Sequence, residues 1–193
     1  FQLEGCRQRL LEFHDHVHGR VSFPWVYAAV IGHPCFYRMR HVTQLGAVKL
    51  CLQVSGGSSH TRYEHSIGVG HLARTAVLHL KREFPELTIT DDDVHIVTLS
   101  GLCHDLGHGP YSHLFEAVAT ELSGRKFEHE EMSCEIFDHL CQAIDRSSLP
   151  GCLEARLMLS VGVREGVKQV IRGEREGGAI SGFLVDIVNN TVN

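Results

Sequence analysis

Several predicted helices in this chain carry apolar faces that run into ionisable side chains, and this pattern constrains the fold more than any other feature. Thr61, with Glu64 three residues later, forms a capping-box pattern, so we expect a helix from this point to about Phe84. On its predicted apolar face His65 points inward, where an ionisable side chain needs a compensating partner. The residues that define this face are Val69, Leu72, Ala73, Ala76 and Leu80.

A second helix is predicted to begin at Thr90, a favourable N-cap residue that is followed by three acids. Its apolar face is marked by Val94, Val97 and Gly101. Continued at the same spacing, that face reaches a group of ionisable residues, namely His104, Asp105 and His108. This inward face therefore also ends in residues that can bind metal ions or exchange protons.

A third helix of this kind is predicted over residues 127–144, with His129 in its first turn. Its predicted apolar face consists of Met132, Ile136, Leu140 and Ala143. Other helices are expected over residues 25–46, in two pieces divided at Gly32–Pro34, and over residues 111–124, 153–160 and 182–193. Residues 47–54 favour a strand, and residues 56–59 and 173–182 favour loops. Residues 1–23 show no clear pattern. The predicted class is therefore all-α with very little strand.

The neighbours His104 and Asp105 lie where Gly107 and Gly109–Pro110 should break the helix. In the middle of a helix, neighbouring side chains point about 100° apart, whereas at a frayed helix end both can turn toward one ion. Two histidines and one aspartate suit Zn²⁺, Fe or Mn²⁺. Taken alone, each histidine is better explained as a hydrogen-bonded core residue, but their joint pattern points to a shared metal ion.

The composition narrows the class of protein. Hydrophobic residues make up 43% of the 193 residues, which is typical of a packed core. The net charge of -5 argues against a protein that coats nucleic acid, and no apolar run approaches membrane-spanning length. The seven cysteines are odd in number and include no C-x-x-C pair, so we expect free thiols and an intracellular location, in the nucleus or cytoplasm.

The segments HTRYEHSIGVG and GLCHDLGHGPYSH together resemble the HD-domain metal phosphohydrolases. The extended motif HDLGHGPYSH is most similar to that of the SAM- and HD-domain deoxynucleoside triphosphate triphosphohydrolases, and YRMRHVTQLG, FEHEEMSCEIFDHL and GFLVDIVNN add to the similarity. The resemblance extends from roughly Asp15 to the C-terminus. It implies that residues 1–193 form a single HD domain, a helical bundle that is incomplete at its C-terminus.

The same resemblance implies a metal centre. Its ligands would be His65, His104 and Asp105, which would hold a divalent ion (Zn, Fe or Mn), with Mg on the substrate phosphates. Arg62, one turn before His65, would meet a phosphate. On the sequence alone, a solvated arginine in the first turn of the helix is an equally good interpretation of Arg62.

Other residues take roles near the phosphates by the same resemblance. His108 and His113 would face the phosphates as donors or general acids. His129 with Glu130 would form the acid–base pair near the scissile bond; the alternative is a histidine at a helix N-terminus beside a surface glutamate. These assignments make one end of the bundle the expected catalytic end.

Gln44 and Leu45 would contact the sugar and test for a deoxyribose, or else form an ordinary helix end. The reaction implied by the resemblance is attack by a metal-activated water on the α-phosphorus of a deoxynucleoside triphosphate, which releases a deoxynucleoside and inorganic triphosphate. A homo-oligomer is implied for the full-length protein. Two alternatives stay open: another HD phosphodiesterase, and a catalytically inactive module that binds nucleotides or proteins.

The chain departs from the family pattern in two places. The fourth metal ligand of the family, an aspartate, is expected just beyond a segment such as residues 183–193, and Asp186 stands too early to match it. We therefore expect the sequence to be a fragment. Gly32 and Tyr37 replace two residues with which the family senses a guanine nucleotide, whereas Arg40 is retained, so we expect altered activation by GTP.

Overall fold

The structure, a computed structural model, describes residues 9–46, 60–149 and 151–189. Most of them are helical, which confirms the predicted class. The helices are α1 (Ala28–Ile31), α2 (Pro34–Tyr37), α3 (Arg62–Glu83), α4 (Asp91–Cys103), α5 (His113–Ser123), α6 (His129–Arg146), α7 (Cys152–Met158), α8 (Val161–Arg172) and α9 (Gly182–Val185), with 3-10 helices at Trp25–Tyr27, Arg38–His41 and Pro85–Leu87. No helix in these ranges is long and apolar enough to cross a membrane.

A short β-hairpin precedes the helices in a region where the sequence showed no clear pattern. Strand β1 (Leu10–Asp15) pairs antiparallel with β2 (Gly19–Pro24). Val21 and Phe23 of β2 are completely buried, so the hairpin packs one edge of the helical core. Its turn is held by Asp15, whose carboxylate accepts hydrogen bonds from the amides of residues 17 and 18, both at 2.8 Å. With so few inward residues, each strand offers too short an alternation to be read from sequence.

The predicted helices are present, with two differences. Helix α8 lies in a stretch for which no element was predicted. The C-terminal helix α9 is only four residues long, and the end of its predicted range lies outside the described residues. The predicted strand 47–54 and loop 56–59 also lie outside the described residues.

The two predicted helix starts are confirmed by their cap contacts. At the start of α3, the Thr61 amide donates to the Glu64 carboxylate at 2.6 Å, and the capping box is complete. At the start of α4, Asp93 takes the corresponding place with Thr90, at 2.8 Å. These local contacts satisfy amides that the first turn of a helix leaves unpaired.

Helix α4 lies at the centre of the bundle, between α3 and α8. The predicted apolar face of α3 was wrong in part, because Leu72 is 52% exposed and Val69, Ala76 and Leu80 are only half-buried. Ala73 is buried as predicted, and the buried face is completed by Tyr63, Ser66, Ile67, Gly70 and Val77. A ranking of side chains by hydrophobicity misses this face because its centre is a glycine.

The predicted apolar face of α6 needs a similar correction. Leu140 is buried as expected, but Met132, Ile136 and Ala143 are half-buried. The buried side chains of α6, which packs against α7 and α8, are Ser133, Cys134, Phe137, Leu140, Cys141 and Ile144. The contact surface is therefore rotated by about one residue, toward cysteines and a serine that hydrophobicity alone does not select.

Glycines let α3 and α4 approach closely, and this crossing brings the histidines of both helices together. A Cβ atom on Gly70 would lie 2.7 Å from Cγ of Leu102, and one on Gly101 would lie 3.0 Å from Cα of Gly70. Side chains at these positions would push the helices apart. The small residues therefore set the distance between His65 near the start of α3 and His104 just after α4.

Replacing Gly70 by Ala should destabilise the protein by about 1–3 kcal/mol, because the new methyl group overpacks against Leu102. The matched control is Gly162→Ala in α8, where an added Cβ would have no neighbour within 4 Å. That control should change the free energy of unfolding by less than about 1 kcal/mol, in the stabilising direction. Urea denaturation measures both values. Equal stability of the two variants would contradict the proposed tight crossing.

Candidate active site

Three of the predicted ligands converge in a group that we call the metal cluster: His65, His104 and Asp105. Their ligand atoms lie within 4.8 Å of one another. Nε2 of His65 and Nε2 of His104 are 3.3 Å apart, and the Asp105 carboxylate is 3.6 Å from the first ring and 3.4 Å from the second. The structure thus brings together residues from the first turn of α3 and from the turn after α4.

At the end of α4, the side chains of two neighbouring residues are directed toward one point. The regular helix stops at Cys103, and residues 104–107 form a turn. His104 keeps helical backbone angles, with φ of -57° and ψ of -32°, and its Nε2 lies 3.4 Å from the Asp105 carboxylate. The expected convergence of these two side chains at the helix end is therefore present.

The rings present lone pairs suitable for a cation. Nδ1 of His104 lies 2.9 Å from the Gly101 carbonyl, which can only accept, so in the neutral ring Nδ1 carries the proton and Nε2 has the lone pair. Burial lowers the pKa of His65 to about 4, although the nearby Asp105 acts in the opposite direction. His65 is therefore neutral at neutral pH. Two imidazole nitrogens and one carboxylate fit Zn²⁺, Fe or Mn²⁺.

A buried ion pair holds the carboxylate of the metal cluster. Nη1 of Arg62 donates to Asp105 at 2.5 Å, and the two side chains are only 6% and 3% exposed. Burial alone would raise the pKa of Asp105, but His104, a hydrogen bond from His108 and Arg62 hold it below its ordinary value. The interpretation of Arg62 as a solvated arginine is wrong. Its contact with a phosphate stays a prediction.

A second group, which we call the histidine–glutamate cluster, consists of His108, His113, Glu116 and His129. Glu116 is its centre: its carboxylate lies 2.6 Å from Nδ1 of His129, 3.2 Å from Nδ1 of His113 and 3.8 Å from Nδ1 of His108. The His108 and His129 rings stack with centroids 3.9 Å apart. The three histidines were expected at the site from the sequence, whereas Glu116 was not. Its one signal in the sequence was its position three residues after His113.

The two clusters are joined at one contact. Nε2 of His108 lies 3.4 Å from the Asp105 carboxylate, and its Nδ1 faces the histidine–glutamate cluster without a hydrogen-bond partner among the described residues. Burial lowers the pKa of His108, opposed by its hydrogen bond to Asp105. His113 is 74% exposed and His129 18%, so the second cluster opens to solution. Glu130 lies 3.3 Å from His129, as expected for a pair.

The loop between the clusters is held in an unusual backbone conformation. Tyr111 and Ser112 have φ values of 63° and 53°, a region that residues other than glycine seldom adopt. Ser112 is held there by Nε of Arg62, which donates to its hydroxyl at 3.2 Å. Arg38 donates to the carbonyls of Leu106 and, at 3.0 Å, His108. Neither Arg38 nor the strained pair was singled out from sequence, because their roles depend on backbone geometry.

The residues expected at the sugar and at a regulatory site lie in the segment before α3. Gln44 and Leu45 occupy a turn; the Gln44 side-chain oxygen is buried and has no hydrogen-bond partner among the described residues, and Leu45 is 37% exposed. The Arg40 guanidinium lies over the rings of Tyr63, at 4.0 Å, and Tyr37, at 4.8 Å. Asp186, set aside as a ligand, pairs with Arg175 at 2.7 Å.

Replacing Arg62 by Ala should cost about 3–5 kcal/mol of stability, because it leaves the Asp105 carboxylate buried without its cation. The matched control is Arg20→Ala, which breaks the exposed pair with Glu12, whose partners are 75% and 48% exposed. That change should cost less than about 1 kcal/mol. Urea denaturation of both variants gives the comparison. Similar losses in the two variants would show that the Arg62 pair has no special weight.

Comparison with known proteins places this site in a family. The HD domain family model matches residues 62–176, more than half of the chain and both clusters. The chain is 45% identical over 141 residues to the deoxynucleoside triphosphate triphosphohydrolase SAMHD1 of Gallus gallus, an alignment that covers 72% of this chain and 22% of that protein. The Homo sapiens SAMHD1 is 41% identical over 143 residues, with coverage of 69% and 22%.

A more distant relative carries the same domain name. The putative HD domain-containing protein L394 of Acanthamoeba polyphaga mimivirus is 31% identical over 143 residues, with coverage of 67% of this chain and 31% of that protein. The chain thus spans less than a third of the length of each of these relatives. The extent of the family match and the converging histidines and aspartate lead to the same conclusion: the chain belongs to the HD domain family.

Proposed function

We propose that the protein hydrolyses deoxynucleoside triphosphates to a deoxynucleoside and inorganic triphosphate with the help of a divalent metal ion. The proposal rests on one observation. The metal cluster, whose side chains could bind a cation, lies next to the histidine–glutamate cluster, whose side chains could carry protons, and the two meet where Asp105 contacts His108 at 3.4 Å. A polyphosphate needs both kinds of chemistry side by side, a cation for its charge and a donor for its leaving group.

In this proposal His65, His104 and Asp105 hold the ion. Zn, Fe or Mn suits these donors, and Mg²⁺ accompanies the phosphates. A bound ion lowers the pKa of a water and polarises a phosphoryl oxygen. Arg62 keeps Asp105 ionised through their buried ion pair. Its Nε also donates to the Ser112 hydroxyl, so Arg62 would lie beside a ligand bound by the loop that contains Ser112.

The proton chemistry falls to the histidine–glutamate cluster. His129 lies between two carboxylates, Glu116 at 2.6 Å and Glu130 at 3.3 Å, and this arrangement suits a residue that donates a proton to a leaving oxygen. His108 and His113 would contact the phosphates. The open position of His113, which is 74% exposed, leaves room for an anion to enter.

Two features of the protein support our proposal for where the nucleoside part of the substrate would bind. A cavity of about 610 Å³ lies beside the metal cluster and is lined by His65, Glu64, Gly68 and His18 among others. The buried side-chain oxygen of Gln44 lacks a hydrogen-bond partner among the described residues, so it can accept from a sugar hydroxyl. Leu45 beside it would contact the deoxyribose face.

The relatives support the choice of substrate. The aligned proteins that are 41–45% identical bear the name deoxynucleoside triphosphate triphosphohydrolase. Because this chain covers only 22% of each, their substrate comes to it as part of the proposal. An intracellular location and a homo-oligomeric full-length protein complete the proposal.

The first test uses the full-length protein with Mn²⁺ and a mixture of deoxynucleoside triphosphates, and it identifies products by ion-exchange chromatography. We expect inorganic triphosphate and deoxynucleosides. The double variant His65→Ala, His104→Ala should lose both bound metal and turnover, because two of three ligands are gone. His139→Ala, an exposed histidine on α6, is the control. Stoichiometric metal in the double variant would contradict the ligand set, and cleavage only of phosphodiesters would point to another HD activity.

Replacing His129 by Ala should lower kcat by about 10²–10⁴-fold if this side chain transfers a proton in the transition state. Metal content should stay at the wild-type level, because His129 belongs to the histidine–glutamate cluster and not to the metal cluster. Metal analysis and single-turnover kinetics on the same sample measure both quantities. An unchanged kcat would exclude His129 as the proton donor.

A further inference from the structure

The Ser133 hydroxyl connects α6 to the turn that follows α4. Its Oγ accepts a hydrogen bond from the Gly107 amide at 2.7 Å and donates one to the His104 carbonyl at 2.7 Å. Ser133 is completely buried. Because both backbone groups lie past the regular part of α4, the helix itself offers them no partner, and one hydroxyl satisfies both.

The turn lies directly against the first turn of α6. A Cβ atom on Gly107 would be 2.1 Å from the His129 carbonyl oxygen and 2.7 Å from the Ser133 amide nitrogen. Only a glycine permits this approach. It brings the backbone that carries His104 and His108 against the helix that carries His129.

Ser133 therefore lies where the two clusters are held relative to each other. On one side of its hydroxyl is the residue whose ring belongs to the metal cluster, His104. On its own helix, one turn earlier, is His129 of the histidine–glutamate cluster. Arg38 holds different groups of the same turn, the carbonyls of Leu106 and His108. Together the two side chains bind four backbone groups of residues 104–108.

We propose that Ser133 is a positioning residue that sets the distance between the metal cluster and His129. Without its hydroxyl, the His104 carbonyl and the Gly107 amide lose their partner, and the turn can shift relative to α6. A shift of this kind changes the geometry of the His104 and Asp105 donors as well as their distance from His129. The kinetic consequence rests on the proposed function, whereas the consequence for metal binding does not.

The test compares two serine-to-alanine variants of the full-length protein. Ser133→Ala removes the connecting hydroxyl. Ser100→Ala removes an equally buried hydroxyl from α4 that donates to the Ile96 carbonyl at 2.8 Å within the same helix and lies 3.4 Å from the Val167 carbonyl of α8, away from the turn. The two changes delete the same atom from sites of the same burial, so the general cost of losing a buried hydroxyl is matched.

Titration of the metal-free protein with Co²⁺, followed by visible absorption, reports the geometry and affinity of the metal ligands without turnover. Ser133→Ala should weaken Co²⁺ binding by about 10–100-fold and change the absorption spectrum, whereas Ser100→Ala should stay within about twofold of wild type. In turnover, Ser133→Ala should lower kcat by about 10–100-fold and change KM by less than about threefold. Ser133→Thr, which restores the hydroxyl, should recover at least about tenfold of the lost affinity.

Each outcome bears on the proposal. An unchanged Co²⁺ spectrum and affinity in a folded Ser133→Ala variant would overturn it, and so would equal changes in the two alanine variants. If Ser133→Ala does not fold, a folded Ser133→Thr variant with weak Co²⁺ binding overturns it. If wild type binds Co²⁺ but cleaves no deoxynucleoside triphosphate, while the spectral change appears in Ser133→Ala, the proposed function fails and the positioning role stands.

Discussion

The buried Asp105 carboxylate is the point on which the rest of the site depends. It is 2% exposed, and it contacts Arg62, His65, His104 and His108 at 2.5–3.6 Å. A carboxylate in such a position is stable only while cations or hydrogen-bond donors surround it. If the start of α3 moved away from the turn after α4, this carboxylate would stay buried without its partners. The stability of the fold therefore requires that the two segments remain in contact. The same carboxylate is one of three groups that could hold a metal ion, so the side chains that stabilise it also shape the candidate site.

The backbone around Asp105 shows how this requirement is met. Helix α4 ends two residues before it, and in the turn that follows Arg38 and Ser133 bind backbone groups that the helix no longer pairs. Beyond the turn, Tyr111 and Ser112 adopt positive φ values, which persist only when surrounding contacts determine them. Side chains from the 3-10 helix Arg38–His41, from α3 and from α6 thus replace regular secondary structure around this carboxylate.

Sequence reasoning was most successful where local chemistry decides. Thr61 with Glu64 and Thr90 with Asp93 mark helix starts through contacts within four residues, and both are present in the structure. It was less successful where packing decides. The buried faces of α3 and α6 are rotated from the predicted ones; the first has Gly70 near its middle, and the second begins at the polar Ser133. The hairpin was missed because only two residues of β2, Val21 and Phe23, are fully buried.

By itself the sequence determined the helical class and the break after α4, since these follow from spacing and side-chain chemistry, and its resemblance to the HD-domain phosphohydrolases pointed to His65, His104 and Asp105 as candidate ligands. Only the tertiary structure decided which groups meet across the bundle. In the structure Glu116 lies among three histidines, Arg62 forms an ion pair with Asp105, and Ser133 links α6 to the turn after α4. Each of these contacts joins residues distant in sequence or depends on an irregular backbone. Local patterns carry no information about such distances, because they are set by how closely helices can pack.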